Sequence, residues 1–153
     1  GAQFANTAFF LQASSKKNYK EKEILNNYIK KLVSQDTGTY GVERQVRLTD
    51  RLGGGRHYGD IVASKDGERI LISLKWQQTS GTAEQKVPYE FMCLADVLSR
   101  DPNIHRAYIV IGGEGWTKHS FFLNELNQWV NTDEFVDVMR LDRFTAKANQ
   151  GNL

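Results

Sequence analysis

The alternation of residues 70–77 constrains the fold most strongly. Side chains of a strand alternate between the two faces of a sheet, so the segment predicts a strand with Ile70, Ile72, Leu74 and Trp76 on one face and Leu71, Ser73, Lys75 and Gln77 on the other. Lys75 therefore lies in mid-strand, where a lysine needs a partner. Asp60, at the head of the preceding predicted strand, is the candidate. An Asp and a Lys on adjacent strands can hold a divalent metal beside a water-activating cation.

Three short motifs carry a family resemblance. Gly59-Asp60, the turn at Asp66-Gly67 and Ser73-Leu74-Lys75 resemble the motif of the PD-(D/E)XK nuclease superfamily, the fold of many restriction enzymes, homing endonucleases, junction resolvases and repair nucleases. Gly59 replaces the Pro of that motif, and Ser73 replaces its second acid. The resemblance implies a restriction-endonuclease-like α/β fold with an αβββαβ core, a central mixed sheet flanked by helices, and an added C-terminal helix and strand.

The other periodicities predict the same order of elements. We expect helices over Lys16–Ser34, from about Thr82 to Arg100 and over Lys118–Val130, and strands over Val42–Leu48, Asp60–Ser64, Arg69–Gln77, His105–Gly112 and Phe135–Leu141. The residues of the first strand are expected to alternate, with one polar face. Pro88 requires the second helix either to begin there or to kink. Residues 143–149 are predicted to be a polar tail.

Length and composition indicate one globular domain over residues 1–153. The chain is 40% hydrophobic and 25% charged, as in ordinary soluble proteins. Cys93 is the single cysteine, so an internal disulfide is excluded and a reducing compartment is favoured. No apolar run has the length of a membrane span. We therefore expect no membrane partner and a cytoplasmic location, in the host cell if the chain is phage-encoded.

The acid missing at Ser73 has candidates on two predicted helices. Some restriction enzymes with Ser at this position recover the acid from the following helix, which here offers Glu84 and Glu90. Glu84 lies closer to the extrapolated core face and Glu90 nearer the spacing of those enzymes, and we lean slightly to Glu84. Glu21 falls on the apolar face of the first helix. It is either an acid favoured by the helix dipole or a carboxylate directed into the site.

The resemblance also implies roles for these residues. Mg²⁺, with Mn²⁺ as substitute, would be held by Asp60, by Glu84 or Glu90, and by the Leu74 carbonyl, a set that suits a hard ion. Lys75 would orient and help deprotonate the attacking water, and Glu21 would act through water or a second ion. Gln77, on the same strand face as Lys75, could contact phosphate or the metal's water shell, or be a satisfied edge glutamine.

Basic clusters are the candidates for nucleic-acid contacts. The net charge of +2 excludes a polycation, and each cluster alone is typical of a solvated face. Together they suggest phosphate contacts by Lys16, Lys17, Lys20 and Lys22, by Arg44, Arg47, Arg51 and Arg56, and by Arg140, Arg143 and Lys147. The glycine-rich loop Arg51–Gly59, which holds three consecutive glycines at 53–55, is either a flexible connection or a loop that presents Arg51, Arg56 and His57 to a nucleic-acid groove. Gln85 and Tyr89 match the Gln-x-x-x-Tyr pair of RecB-type nucleases, on one helix face.

The main hypothesis is a Mg²⁺-dependent endodeoxyribonuclease of restriction-like or homing type that acts on double-stranded DNA. A homodimer or homotetramer is expected, because cutting both strands usually needs two sites. Two alternatives stay open. One is a nucleic-acid-binding module of the same fold that has lost catalysis, for which Ser73 is the best sequence argument. The other is an RNase, such as a toxin domain that attacks transfer RNA.

Overall fold

The computed structural model describes residues 18–33, 40–77, 79, 81 and 83–153, with backbone alone for residues 18–22 and 83. Its helices are α1 Asn18–Val33, α2 Val87–Arg100, α3 His119–Asn124, α4 Leu126–Val130 and α5 Leu141–Asn149, with a 3₁₀ turn Ala83–Lys86 before α2. Its strands are β1 Gly41–Arg47, β2 Tyr58–Lys65, β3 Glu68–Trp76, β4 Ile104–Gly112 and β5 Val136–Arg140. The predicted α/β class and order of strands are confirmed.

The strands form one mixed sheet in the order β1-β2-β3-β4-β5. β1, β2 and β3 pair antiparallel, and β2 turns into β3 through Asp66 and Gly67, whose φ angles of 54° and 82° suit a two-residue hairpin. β3, β4 and β5 pair parallel. A parallel pair needs a long crossover, and α2 lies within the one between β3 and β4.

Helices cover both faces of the sheet. Ile70, Ile72, Leu74 and Trp76 of β3 all pack into the core shared with α1 and α5, as the alternation predicted. Leu71 faces the other core, which α2 closes. The apolar run of β4 contributes to both cores, because Tyr108 and Val110 face α1 while Ile109 and Ile111 face α2. The α2 face is the one that carries Ser73.

The two long helices follow from their apolar spacing. Leu25, Ile29 and Leu32 of α1 are buried at intervals of three and four residues. Pro88 occupies the first turn of α2, where its missing N–H costs nothing, so the helix begins there and does not kink. Within the described ranges, no helix combines the length and the apolarity required for a bilayer crossing.

Two predictions about the C-terminal third were wrong. Residues 143–149 belong to α5 and are not a polar tail. Leu141, Phe144, Thr145 and Ala148 form a buried stripe, whose apolar members pack in the α1 core. The predicted helix 118–130 is divided at Glu125, whose φ of −120° lies outside the helical range. α3 and α4 are therefore separate short helices.

The prediction of one shared face for β1 was also wrong. Val42 packs against the α1 core, whereas Val46 packs against the α2 core. Gln45, between them, has a positive φ of 53°, which breaks the two-residue alternation. The end of β1 is thereby turned toward the face that carries Ser73.

Candidate active site

The candidate site forms where β2 and β3 diverge. Their paired residues run from Lys65–Glu68 to Ile61–Ile72, and Asp60 lies just beyond the last pair. Asp60 Oδ2 accepts a hydrogen bond of 2.8 Å from the Leu74 backbone N–H. The Asp60 side chain is buried. A charge-assisted bond of this kind fixes the orientation of the carboxylate.

A second carboxylate reaches the preceding residue of β3. Ser73 Oγ donates a 3.1 Å hydrogen bond to Glu90 Oε1, and Glu90 lies in the first turn of α2. Asp60 and Glu90 thus contact consecutive residues of one strand. Of the two acids that the sequence offers for the missing motif position, Glu90 is therefore the one that lies against Ser73.

Two residues of the β1–β2 loop also contact Glu90. Arg51 Nη1 donates to Glu90 Oε2 at 3.0 Å, and His57 Nε2 lies 3.3 Å from Glu90 Oε1. His57 is completely buried, and its Nδ1 has no hydrogen-bond partner among the described residues. We call Arg51, His57, Ser73 and Glu90 the Glu90 network. It joins the loop, β3 and α2 around one charge.

The electrostatics of the network keep Glu90 ionised. Burial alone would raise the pKa of Glu90. The hydrogen bond with His57, the positive charge of Lys75 and the ion pair with Arg51 outweigh burial and lower the pKa to about 2. Lys75 is half-buried two residues after Ser73 on the same strand face, and it acts on this carboxylate through its charge.

Glu84 and Gln77 lie elsewhere and bond to the protein. The Glu84 carboxylate accepts hydrogen bonds from Thr117 N, Thr117 Oγ1 and Lys118 N at 3.0, 2.6 and 3.2 Å. The Thr117 hydroxyl, followed by these backbone N–H groups, lowers the pKa of Glu84. Gln77 Nε2 donates to Gly115 O at 2.6 Å, and Gln77 Oε1 accepts from Glu84 N at 3.2 Å. Both residues hold the loop after β4 and are not part of the Glu90 network.

The other sequence candidates are dispersed. His57 is buried, which contradicts its predicted presentation to a nucleic-acid groove, because the β1–β2 pairing continues through the bond from Leu48 N to His57 O. Arg56 is exposed beside it. Arg44 and Arg47 are exposed on β1, the first bonded to Asn27 and the second paired with Asp50.

The predicted Gln85–Tyr89 pair is divided between two elements. Gln85 is exposed in the 3₁₀ turn and Tyr89 lies in α2, so the spacing of a single helix does not apply. The Tyr89 hydroxyl instead donates to Leu52 O and ties the glycine-rich loop to α2. Glu21 belongs to α1, but its side chain lies outside the described residues.

The donors at β3 have the chemistry of a hard-cation site. In the described part of the chain, no three His, Cys, Asp or Glu side chains group as a metal site. Mg²⁺ needs only one or two protein carboxylates, since waters and phosphate oxygens complete its shell. Asp60 and Glu90 supply two such carboxylates. Glu90 is ionised, and its two oxygens carry more lone pairs than its three observed contacts use. The residues therefore fit such an ion.

Comparisons with known proteins show what this chain is similar to. The family model described as PD-(D/E)XK nuclease superfamily domain matches residues 6–152. Among solved structures, the fold is similar to AF1548, a protein of unknown function, with 14% identity, a TM-score of 0.50 and coverage of 76% of this chain and 56% of that one. It is also similar to protein VC1899 from Vibrio cholerae, with 14% identity, a TM-score of 0.51 and coverage of 86% and 32%.

The chain thus spans 56% and 32% of the lengths of these two proteins. Identities this low show a shared fold alone. The comparison with curated protein sequences gave no match.

Proposed function

Because this chain belongs to the PD-(D/E)XK nuclease superfamily, we propose that it is a metal-dependent endodeoxyribonuclease of restriction-like or homing type. The observation that carries the proposal is the 3.1 Å bond from Ser73 Oγ to Glu90 Oε1. It supports Glu90 as the substitute for the missing motif acid. Glu84, toward which the sequence leaned, has its carboxylate bonded to Thr117 and Lys118, so we assign the role to Glu90.

Asp60, Glu90 and the Leu74 carbonyl would hold the metal, Mg²⁺ or Mn²⁺ as its substitute. The bound ion would supply charge to offset the phosphodiester transition state and would acidify a water. Asp60 is oriented for this role by the Leu74 N–H. Glu90 is ionised at neutral pH because the Glu90 network and Lys75 lower its pKa to about 2.

Lys75 would hold the attacking water and help to remove its proton. A half-buried ammonium close to Glu90 is well placed to stabilise a developing hydroxide. Arg51, bonded to Glu90 and only partly exposed, would contact a phosphate beside the cut. Arg56, exposed on the same loop, would extend that contact along the DNA backbone.

The same geometry weighs against a binding module that has lost catalysis. Two buried carboxylates lie at the end of β3: Asp60 is bonded to the Leu74 N–H, and Glu90 is influenced by the charge of Lys75. Carboxylates near a phosphate oppose binding unless a cation lies between them. A module that only bound DNA would gain affinity by losing these acids. Their presence therefore favours a metal-dependent reaction.

We further propose that the active form on duplex DNA is a homodimer or homotetramer. One site cuts one strand, so a double-strand break from a single encounter requires two. Sedimentation of the protein with and without a DNA duplex tests this part separately from catalysis.

The first test is incubation with supercoiled plasmid in Mg²⁺, with EDTA and Asp60→Asn as controls. Discrete fragments that need Mg²⁺ and disappear in both controls are expected. Asp60→Asn preserves the shape of the side chain, so its failure to cut would reflect lost charge. Cleavage that persists in both controls would overturn the proposal. Intact plasmid together with cleavage of transfer RNA would show that the substrate is RNA.

A further inference from the structure

A cavity of about 250 Å³ opens beside the candidate site, at the carboxyl ends of β4 and β5. Its lining consists of Ile111, Gly113, Glu114, Trp116, His119 and Arg140. None of these residues belongs to the Glu90 network. Ligands of α/β proteins commonly bind outside the carboxyl ends of parallel strands, which is where this cavity lies.

Strand register connects the cavity to Lys75. Lys75 pairs with Ile111, and Ile111 pairs with Arg140, so the three residues form one row across β3, β4 and β5. Residues paired in this way share a face of the sheet. Neighbouring strands are about 4.8 Å apart, which places the backbone of Arg140 roughly 10 Å from that of Lys75. The cavity and the candidate site therefore lie side by side on the α2 face.

The wall of the cavity is held firmly in place. Its loop is bonded to the end of β3 through Gly115 N to Gln77 O at 2.8 Å and Gln77 Nε2 to Gly115 O at 2.6 Å. A side chain at Gly113 would come within 2.3 Å of Gln77 O, so only glycine permits this approach. Glu84 fixes the next residues through Thr117 and Lys118. Gln77 and Glu84, singled out by the sequence, are thus positioning residues for this loop.

The lining is chemically mixed, which distinguishes between possible ligands. Arg140 is a hydrogen-bond donor and Glu114 is an acceptor. His119 Nδ1 lies 3.3 Å from Trp116 O, so Nε2 of the neutral ring is an acceptor. Ile111 and the Trp116 ring supply apolar wall, and Trp116 Nε1 is bonded to Gly112 O. A phosphate carries acceptors alone, so it would match Arg140 but would leave the acceptor Glu114 without a donor from the ligand. The edge of a nucleobase carries donors and acceptors together on an apolar ring, and it matches all of these groups.

We infer that the cavity is a nucleobase subsite, which takes the base of a nucleotide next to the scissile phosphate. Arg140 would donate to ring or carbonyl acceptors of that base, and Glu114 would accept from its amino or imino group. The inference rests on the proposed function, since a strand with its phosphate at Lys75 brings a neighbouring base toward Arg140. The subsite would make cleavage selective for the base at that position.

Binding can be measured without catalysis. In ¹⁵N-labelled Asp60→Asn protein, the indole resonances of the three tryptophans are followed during titration with four tetradeoxynucleotides, each of a single base. The Trp116 resonance is expected to shift with one or two of the four. Arg140→Ala should weaken that binding roughly 10- to 100-fold. Arg100→Ala, at the end of α2 and paired with Asp96, should leave the ratio among the four unchanged.

Cleavage selectivity is measured with a DNA library randomised around the cut. Arg140→Ala and Glu114→Gln are expected to reduce the base preference at one position roughly 10-fold or more while cutting continues. A preference that both variants leave intact, or a Trp116 resonance that no oligonucleotide shifts, would overturn the subsite and leave the nuclease proposal standing. Base-selective binding without cleavage of any DNA would support the subsite and refute the nuclease.

Discussion

At the scale of single residues, two glutamates that are buried in the described part of the chain lie in neighbouring turns and differ in their partners. Glu84 accepts hydrogen bonds from one loop, at Thr117 and Lys118. Glu90 is contacted by three side chains from two elements, the β1–β2 loop and β3, and its partners include the cation Arg51. The contacts of Glu84 are those of a residue that anchors a loop. The contacts of Glu90 hold a negative charge at the end of β3, where it could bind a metal ion.

Exchange of each glutamate for glutamine separates these roles. Glu90→Gln should lower Mn²⁺ affinity at least roughly 10-fold, because it removes one of two carboxylates at the site. Glu84→Gln should leave that affinity unchanged and lower the free energy of unfolding by about 1 to 3 kcal/mol, since its amide would face backbone donors. Calorimetric titration of the metal-free protein and urea unfolding measure the two effects. Equal losses of Mn²⁺ affinity in both variants would contradict the assignment to Glu90.

The pKa of Glu90 predicts how stability depends on pH. It is lowered from an ordinary 4.5 to about 2, so the unfolded chain takes up this proton first as the pH falls. The contribution of ionised Glu90 to the free energy of unfolding is therefore complete above about pH 5 and is lost as the pH falls toward 2. Between pH 6 and pH 3 the free energy of unfolding should fall by about 2 kcal/mol on this account.

Urea unfolding in EDTA at both pH values isolates this contribution when wild type is compared with Glu90→Gln. Other carboxyl groups titrate in both proteins, so the difference between the two profiles belongs to Glu90. The wild-type protein should lose about 2 kcal/mol more than the variant between pH 6 and pH 3. Parallel profiles would mean that Glu90 is not held ionised by its neighbours.

At the scale of elements, α5 is an integral part of the α1 core. Phe144 is fully buried and meets the ring of Tyr108 edge to face at 5.9 Å. Phe144→Ala should therefore cost about 3 to 5 kcal/mol of unfolding free energy. Phe135 meets the same ring at 5.7 Å but is 44% exposed, and Phe135→Ala should cost only about 0.5 to 1.5 kcal/mol. Urea unfolding measures both losses. If the two variants lost similar amounts of unfolding free energy, α5 would not pack as described.

The strands could be predicted from the sequence more completely than the C-terminal helix. The alternation of β3 repeats every two residues, so a few residues are enough to reveal both faces. α5 has only nine residues, and its buried stripe is interrupted by Asp142, Arg143 and Lys147. Its average composition is therefore polar. The helix is stabilised by packing against α1 and the sheet, a tertiary contact that no local pattern records.

At the scale of the whole molecule, the candidate site is part local and part assembled. Asp60 and Lys75 lie on adjacent strands, and a short motif was enough to place them. Glu90, His57 and Arg51 are brought together by α2 and the loop, which a strand pattern does not predict. The helical projection favoured Glu84 because it assumed one helix across Pro88. Glu84 lies in a 3₁₀ turn, to which that projection does not apply.

The distribution of charge over the molecule makes DNA affinity depend on where each cation lies. With a net charge of only +2, nonspecific attraction is weak, and contacts near the Glu90 network should dominate. Arg56 is exposed on the loop that bonds to Glu90. Arg100 is also exposed, but it pairs with Asp96 at the far end of α2, roughly 15 Å along the helix from Glu90.

Arg56→Ala should therefore weaken DNA binding and reduce the slope of log K against log salt by about 0.9, the value for one lost phosphate contact. Arg100→Ala removes the same charge from the far end of α2 and should leave the slope unchanged. Titrations of a fluorescent duplex with metal-free Asp60→Asn protein at several salt concentrations give both slopes. If the two variants lowered the slope equally, the loop would not be the DNA contact, and affinity would follow total charge alone.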